Sequence, residues 1–192
     1  MEKETTAESI AIQSSAILES IPDSEEGSNT RQIREEQIRE GIPWAYFDGA
    51  SQNNTAGAGM IIHLSKTKSL KASVGLGTGT NNYAELSALK LLLCWLIHRH
   101  ILTVQIFGDS LSVVNWVNGK SRCHSYMLRP LLEEIMSLKS SFNVFSIGHI
   151  YRERNDTTDT LSKEGLQQAM GSWKVVEEDQ GQIRVSDQPP CT

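Results

Sequence analysis

The chain has 192 residues, 39% of them apolar and 21% charged, which gives room for one core of ordinary size and would cramp two. Its net charge of −5 is unevenly spread: residues 1–40 carry 4 Lys/Arg against 10 Asp/Glu and residues 171–192 carry 2 against 4, while residues 41–170 carry 12 against 9. The acidic average therefore conceals a mildly basic body suited to a polyanion, and three scattered cysteines, Cys94, Cys123 and Cys191, with no CxxC pair exclude a disulfide framework or a structural zinc module.

Residues 1–40 contain no aromatic residue and no strong apolar period beyond ESIAIQSSAILESI, so they read as an acidic, disordered tail. They also lack the basic start and apolar stretch of a signal peptide, and the longest apolar run, LLLCWLI at 91–97, is too short to span a bilayer. A soluble intracellular protein with no membrane partner is expected, in the nucleus or the cytoplasm. PWAYFDGA, AGMIIHLS and SLKASVGLG follow as three strands separated by Asn- and Gly-rich turns. The stretch from Asn81 to His100 carries Leu86, Leu89, Leu93 and Leu96 at spacings of three and four, and opens on Asn residues suited to an N-cap, which predicts a long amphipathic helix. TVQIFGDS is a strand, LSVVNWVNG and MLRPLLEEIMSLK are helices, FNVFSIGHI is a strand and TDTLSKEGLQQAM is a last helix. Residues 171–192, ending DQPPCT, read as a second disordered tail around a folded body at 41–170. The order β-β-β-α-β-α-α-β-α predicts an α/β fold in which an antiparallel meander is extended by parallel strands through helical crossovers. Chemistry in such sheets gathers beyond the carboxyl ends of the parallel strands.

Three acidic residues sit awkwardly for a purely structural account. Asp48 is in phase with Trp44 and Tyr46 on its strand, Glu85 precedes Leu89 and Leu93 by four and eight residues on its helix, and Asp109 ends the strand TVQIF, where it would equally suit a helix cap. A charge held against an apolar face costs several kcal/mol unless it is paired or bound to a cation, and no Lys or Arg stands at a matching position. A shared metal would satisfy all three. In RERNDTTDTLSK two aspartates compete for a fourth place. At about 100° per residue, Asp159 lies roughly 50° from the apolar direction set by Leu161, Leu166, Ala169 and Met170, and Asp156 roughly 110° from it. Asp159 therefore borders the core, while Asp156 suits the helix start. Oxygen ligands without clustered His or Cys select Mg²⁺ or Mn²⁺, and two such ions can activate a water and stabilise the leaving oxygen of a phosphodiester.

YFDGAS, TNNYAELSAL, FGDSLSVV and HIYRERNDTTDTLSKEG together resemble the type 1 ribonuclease H family over about residues 43–170, in the branch abundant in plant genomes and retroelements. The resemblance implies a ribonuclease H-like fold, a five-stranded mixed sheet with helices on both faces, over 41–170. It implies metal-dependent endonucleolytic cleavage of the RNA strand of RNA–DNA hybrids by a two-metal mechanism, with Mg²⁺ or Mn²⁺ as cofactor, the hybrid as partner and a monomeric enzyme. By motif match the metal-binding carboxylates fall on Asp48, Glu85, Asp109 and Asp159. His149, ten residues before Asp159, matches the family's histidine for proton transfer or product release, although a strand-end histidine satisfied by backbone is the plain alternative. The pattern N-x-x-A-D-x-L-A lands on Asn155, Thr158, Asp159, Leu161 and Ser162, and the amides implied to contact substrate are Asn53, Asn81, Asn82 and Asn155.

The segment GKSRCHSYMLRP is short and holds only Lys120, Arg122 and Arg129, so the large basic substrate handle of some members is missing. The rival reading is a catalytically weak or inert nucleic-acid-binding module derived from a retroelement, which a lost carboxylate would favour. None of the four is lost. Proofreading exonucleases place Asp-x-Glu on the first strand where this chain has Asp48-Gly49-Ala50, and integrase-like enzymes lack the helix glutamate that Glu85 supplies.

Overall fold

The computed structural model describes residues 38–189, so residues 1–37 of the expected acidic tail lie outside the described residues. The elements run β1 (Trp44–Gln52), β2 (Thr55–His63), β3 (Lys68–Thr78), α1 (Asn81–His98), β4 (Thr103–Gly108), α2 (Leu111–Val117), α3 (Arg129–Lys139) and β5 (Val144–His149). A 3-10 turn (Arg152–Arg154), α4 (Asp156–Gly165), β6 (Trp173–Asp179) and β7 (Gln182–Ser186) complete the order. One sheet holds every strand of the described residues, in the order β5-β4-β1-β2-β3-β6-β7. Its β1, β2, β3, β6 and β7 are mutually antiparallel neighbours, and β4 and β5 are added in parallel beside β1.

The meander forms because Asn53 and Asn54 both take left-handed backbone, at φ 50° and 62°, which makes the two-residue turn that matches strand twist. Gln180 and Gly181 repeat the device at φ 49° and 81°, joining β6 to β7. The expected five-stranded sheet is thus corrected to seven strands, and the expected tail at 171–192 is corrected to a hairpin over its first sixteen residues. Its anchors are Trp173 and Val175, which point inward from β6 into the main core.

The helices lie on both faces of the sheet. Gly49 marks one face: a Cβ there would meet the backbone N of Glu85 at 2.1 Å, so only a glycine lets β1 touch the first turn of α1. Gly59 marks the other, since a Cβ there would lie 2.5 Å from the backbone N of Ser162 in α4. The main core gathers Phe47, Met60, Ile62, Leu70, Trp95 and Ile135 around α1. α1 is not a one-faced amphipathic helix: Ala84 through Leu89, Leu92, Leu93, Trp95 and Leu96 are all buried, because the helix is pressed between the sheet and α3. Its cap is Thr80, whose hydroxyl accepts from the Tyr83 N–H, rather than an asparagine. α4 begins at Asp156 and ends at Gly165, earlier at both ends than the expected helix. No helix among the described residues is long and apolar enough to cross a membrane.

The Trp95–Trp173 contact, with ring centroids 6.3 Å apart and nearly perpendicular, ties the hairpin to the core. Trp173→Ala is expected to destabilise the protein by about 3 kcal/mol. Urea unfolding reads this directly, and an unchanged midpoint would show that the hairpin is not part of the cooperative unit.

Candidate metal centre

The alternation of β1 places Asp48 on the same face as Tyr46, and the parallel pairing of β1 with β4 sets Phe47 opposite Gly108, so Asp48 in the middle of β1 and Asp109 just past the end of β4 come side by side. The close approach at Gly49 supplies the third group. With the backbone of β1 against Ala84 and Glu85, the Glu85 carboxylate reaches Asp48 and accepts from the Gly49 N–H. One oxygen from each of Asp48, Glu85 and Asp109 lies within 4.8 Å of the others.

Such crowding is unfavourable without a cation. Two unit charges at that separation repel by roughly 3–4 kcal/mol at an effective dielectric of 20. Asp48 is 5% exposed and Glu85 4%. Burial first, then the neighbouring carboxylates, push Glu85 up to about 9. Burial also pushes Asp48 up to about 7, partly opposed by a hydrogen bond from the Ser162 hydroxyl and reinforced by Asp109 and Asp159. Glu85 Oε2 is buried and has no hydrogen-bond partner among the described residues. A glutamate with an unpartnered oxygen, grouped with two more carboxylates and with no sulfur or imidazole in the set, fits a hard divalent cation.

Asp159 stands apart from this trio. It joins Asp48 in lining an open groove of 340 Å³, together with Gln52, Asn81, Arg152 and Lys163. Burial of Asp159 would raise its pKa, but hydrogen bonds and charge from Lys163 and Arg152, the latter at 3.1 Å, outweigh it and hold the carboxyl below the usual range. Asp156 is exposed and is the first residue of α4.

His149 ends β5 with Nε2 3.1 Å from the backbone oxygen of Asp109, so it touches the site through backbone. Asn81 lines the groove; Asn82 is exposed beside it, and Asn53 sits on the β1–β2 turn. Asn155 is 2% exposed, and its Nδ2 donates to the Phe47 oxygen at 3.0 Å, which sews the start of α4 to β1. Reading by motif passed over Gln52, Arg152, Lys163 and Ser162. The spacing of Lys163 four residues after Asp159 was the available signal for one of them.

A family model described as reverse transcriptase-like matches residues 46–165. Ribonuclease HI of Halobacterium salinarum is 32% identical over 135 residues, which cover 68% of this chain and 67% of that protein. The crystal structure of RNase H1 from Halobacterium salinarum NRC-1 matches at a TM-score of 0.63 and 30% identity, over 67% of this chain and 100% of that one. LC11-RNase H1, in complex with an RNA/DNA hybrid, matches at 0.59 and 26% identity, over 65% of this chain and 96% of that one.

The raised carboxyls fix a pH dependence. Above pH 4 the unfolded chain has lost protons that native Asp48 and Glu85 still hold, so the contribution of these two groups to stability is greatest at low pH and is lost as pH rises through about 7 and about 9. Asp159, held low, acts only below the ordinary carboxylate range and does not offset this. In EDTA the melting temperature is expected to be several degrees higher at pH 5.5 than at pH 8.5, with Mn²⁺ flattening the difference. Melting that rises with pH over this interval would contradict it.

Proposed function

Because the chain belongs to the type 1 ribonuclease H family, we propose that it hydrolyses the RNA strand of RNA–DNA hybrids, with divalent cations held by Asp48, Glu85 and Asp109 and completed by Asp159. The observation that carries this reading is the trio of carboxylates within 4.8 Å, two of them buried, in which one Glu85 oxygen has no hydrogen-bond partner among the described residues. Cations bound there, Mg²⁺ or Mn²⁺ and two in the full scheme, supply an activated water and charge stabilisation at the leaving oxygen of the phosphodiester.

The chain's own residues do the rest. Glu85, raised to about 9, and Asp48, raised to about 7, give up protons when a cation binds, so binding is tighter at higher pH. Arg152 and Lys163, exposed at 74% and 58%, bring positive charge to the groove wall where a strand's phosphates would run. Asn81 and Gln52 line the same groove and offer amides to ribose 2′-hydroxyls, the group that separates RNA from DNA. With Nε2–H of His149 donating to the Asp109 oxygen, Nδ1 is the atom left to take or return a proton. An enzyme of the plant and retroelement branch is the finer form of this reading, supported by the run HIYRERNDTTDTLSKEG.

A labelled hybrid incubated with Mg²⁺ or Mn²⁺ is expected to be cut on its RNA strand. Asp48→Asn and Asp159→Asn are expected to lose more than about 100-fold in rate, because each removes a metal-facing charge, while Asp156→Asn keeps near wild-type activity. Clean wild-type protein that binds the hybrid but never cuts it would replace the enzyme with an inert binding module. Loss in Asp156→Asn with retention in Asp159→Asn would reverse the assignment of the two aspartates.

A further inference from the structure

Ser162 is fully buried on α4, and its hydroxyl reaches two acceptors: Oδ2 of Asp48 and, at 2.9 Å, the backbone oxygen of Asp159 one turn earlier. A hydroxyl has one proton and donates to one of them at a time. The bond to an ionised carboxylate is the stronger, so Asp48 takes the proton when it is charged, and the helix carbonyl is the resting alternative. The hydroxyl has little freedom to move elsewhere, since the missing side chain of Gly59 seats the backbone of Ser162 directly on β2, the strand beside Asp48. One residue thus links the carboxylate of β1 to the backbone that carries Asp159. With Oδ2 engaged by Ser162, Oδ1 is the oxygen left to face a cation.

We propose that Ser162 is a positioning residue of this centre: its buried hydroxyl holds the Asp48 carboxylate in the orientation that binds a divalent cation. The inference rests on the metal-dependent reading above. The carboxylate has other rotamers and lies among like charges that would turn it away, so losing the donor costs affinity for the ion rather than the fold itself. Ser162 stands where the motif on this helix carries alanine, so the link is a feature of this chain that the pattern alone does not demand.

The test is calorimetric titration of the metal-free full chain with Mn²⁺, beside melting in EDTA. Ser162→Ala is expected to raise the Mn²⁺ Kd about 10- to 100-fold with a melting temperature in EDTA close to wild type. Its cleavage rate on hybrid should recover at high Mn²⁺, which a packing defect would not do. Should Ser162→Ala fail to fold, Ser162→Cys, with a weaker donor in the same place, is expected to bind with an intermediate Kd. Wild-type affinity in either variant overturns the inference while leaving the proposed function standing. A wild-type protein that takes up no Mn²⁺ overturns both.

Discussion

The contact between Gly49 and the first turn of α1 is the constraint on which the rest of the molecule depends. A side chain at position 49 would collide with the backbone of Ala84 and Glu85, so α1 would have to withdraw from the sheet. That withdrawal would move Glu85 away from Asp48, and it would also loosen the central helix, around which Leu86, Leu89, Leu93 and Leu96 are buried. One absent methyl group therefore serves packing and chemistry together. The parallel pairing of β1 with β4 then brings Asp109 to the same place with no further device.

Three of the acidic residues are held by two opposite electrostatic strategies. Asp48 and Glu85 are buried against like charges, and the cost shows as carboxyls that keep their protons far above the ordinary range. Asp159 is stabilised as an anion by Arg152 and Lys163, which act as counter-ions within the protein. A cation entering the groove would relieve the first pair and compete with the second. Affinity for the ion thus reflects a balance between relief of repulsion at the trio and release of two cationic side chains at the rim.

Much of this was legible in the sequence. The phase of Asp48 with Tyr46 and of Glu85 with Leu89 placed both carboxylates inward, and helical phase separated Asp159 from Asp156. Other features were hidden for physical reasons. WKVVEEDQGQIRVS has its two inward residues, Trp173 and Val175, embedded among charges, so its alternation is weak and it passed for a tail. The apolar stripe of α1 suggested one buried face because the sequence does not reveal that α3 covers another side. Asn155 matched a motif of substrate-facing residues, yet its amide is consumed by the Phe47 oxygen, a partner 108 residues away that no local pattern announces. Ser162 was visible as a departure from alanine, but its partner Asp48 is likewise remote in sequence.

The β6–β7 hairpin changes how the sheet meets its surroundings. Without it, β3, an eleven-residue strand, would end the sheet and present a long row of open backbone donors and acceptors, a template on which another chain could add itself. The hairpin covers that row and leaves β7 as the margin, a five-residue strand bearing Arg184 beside exposed Ile183 and Val185. The liability to self-association is shortened and moved outward. It lies at the opposite end of the sheet from β4 and β5, so the margin can vary in sequence without disturbing the carboxylates.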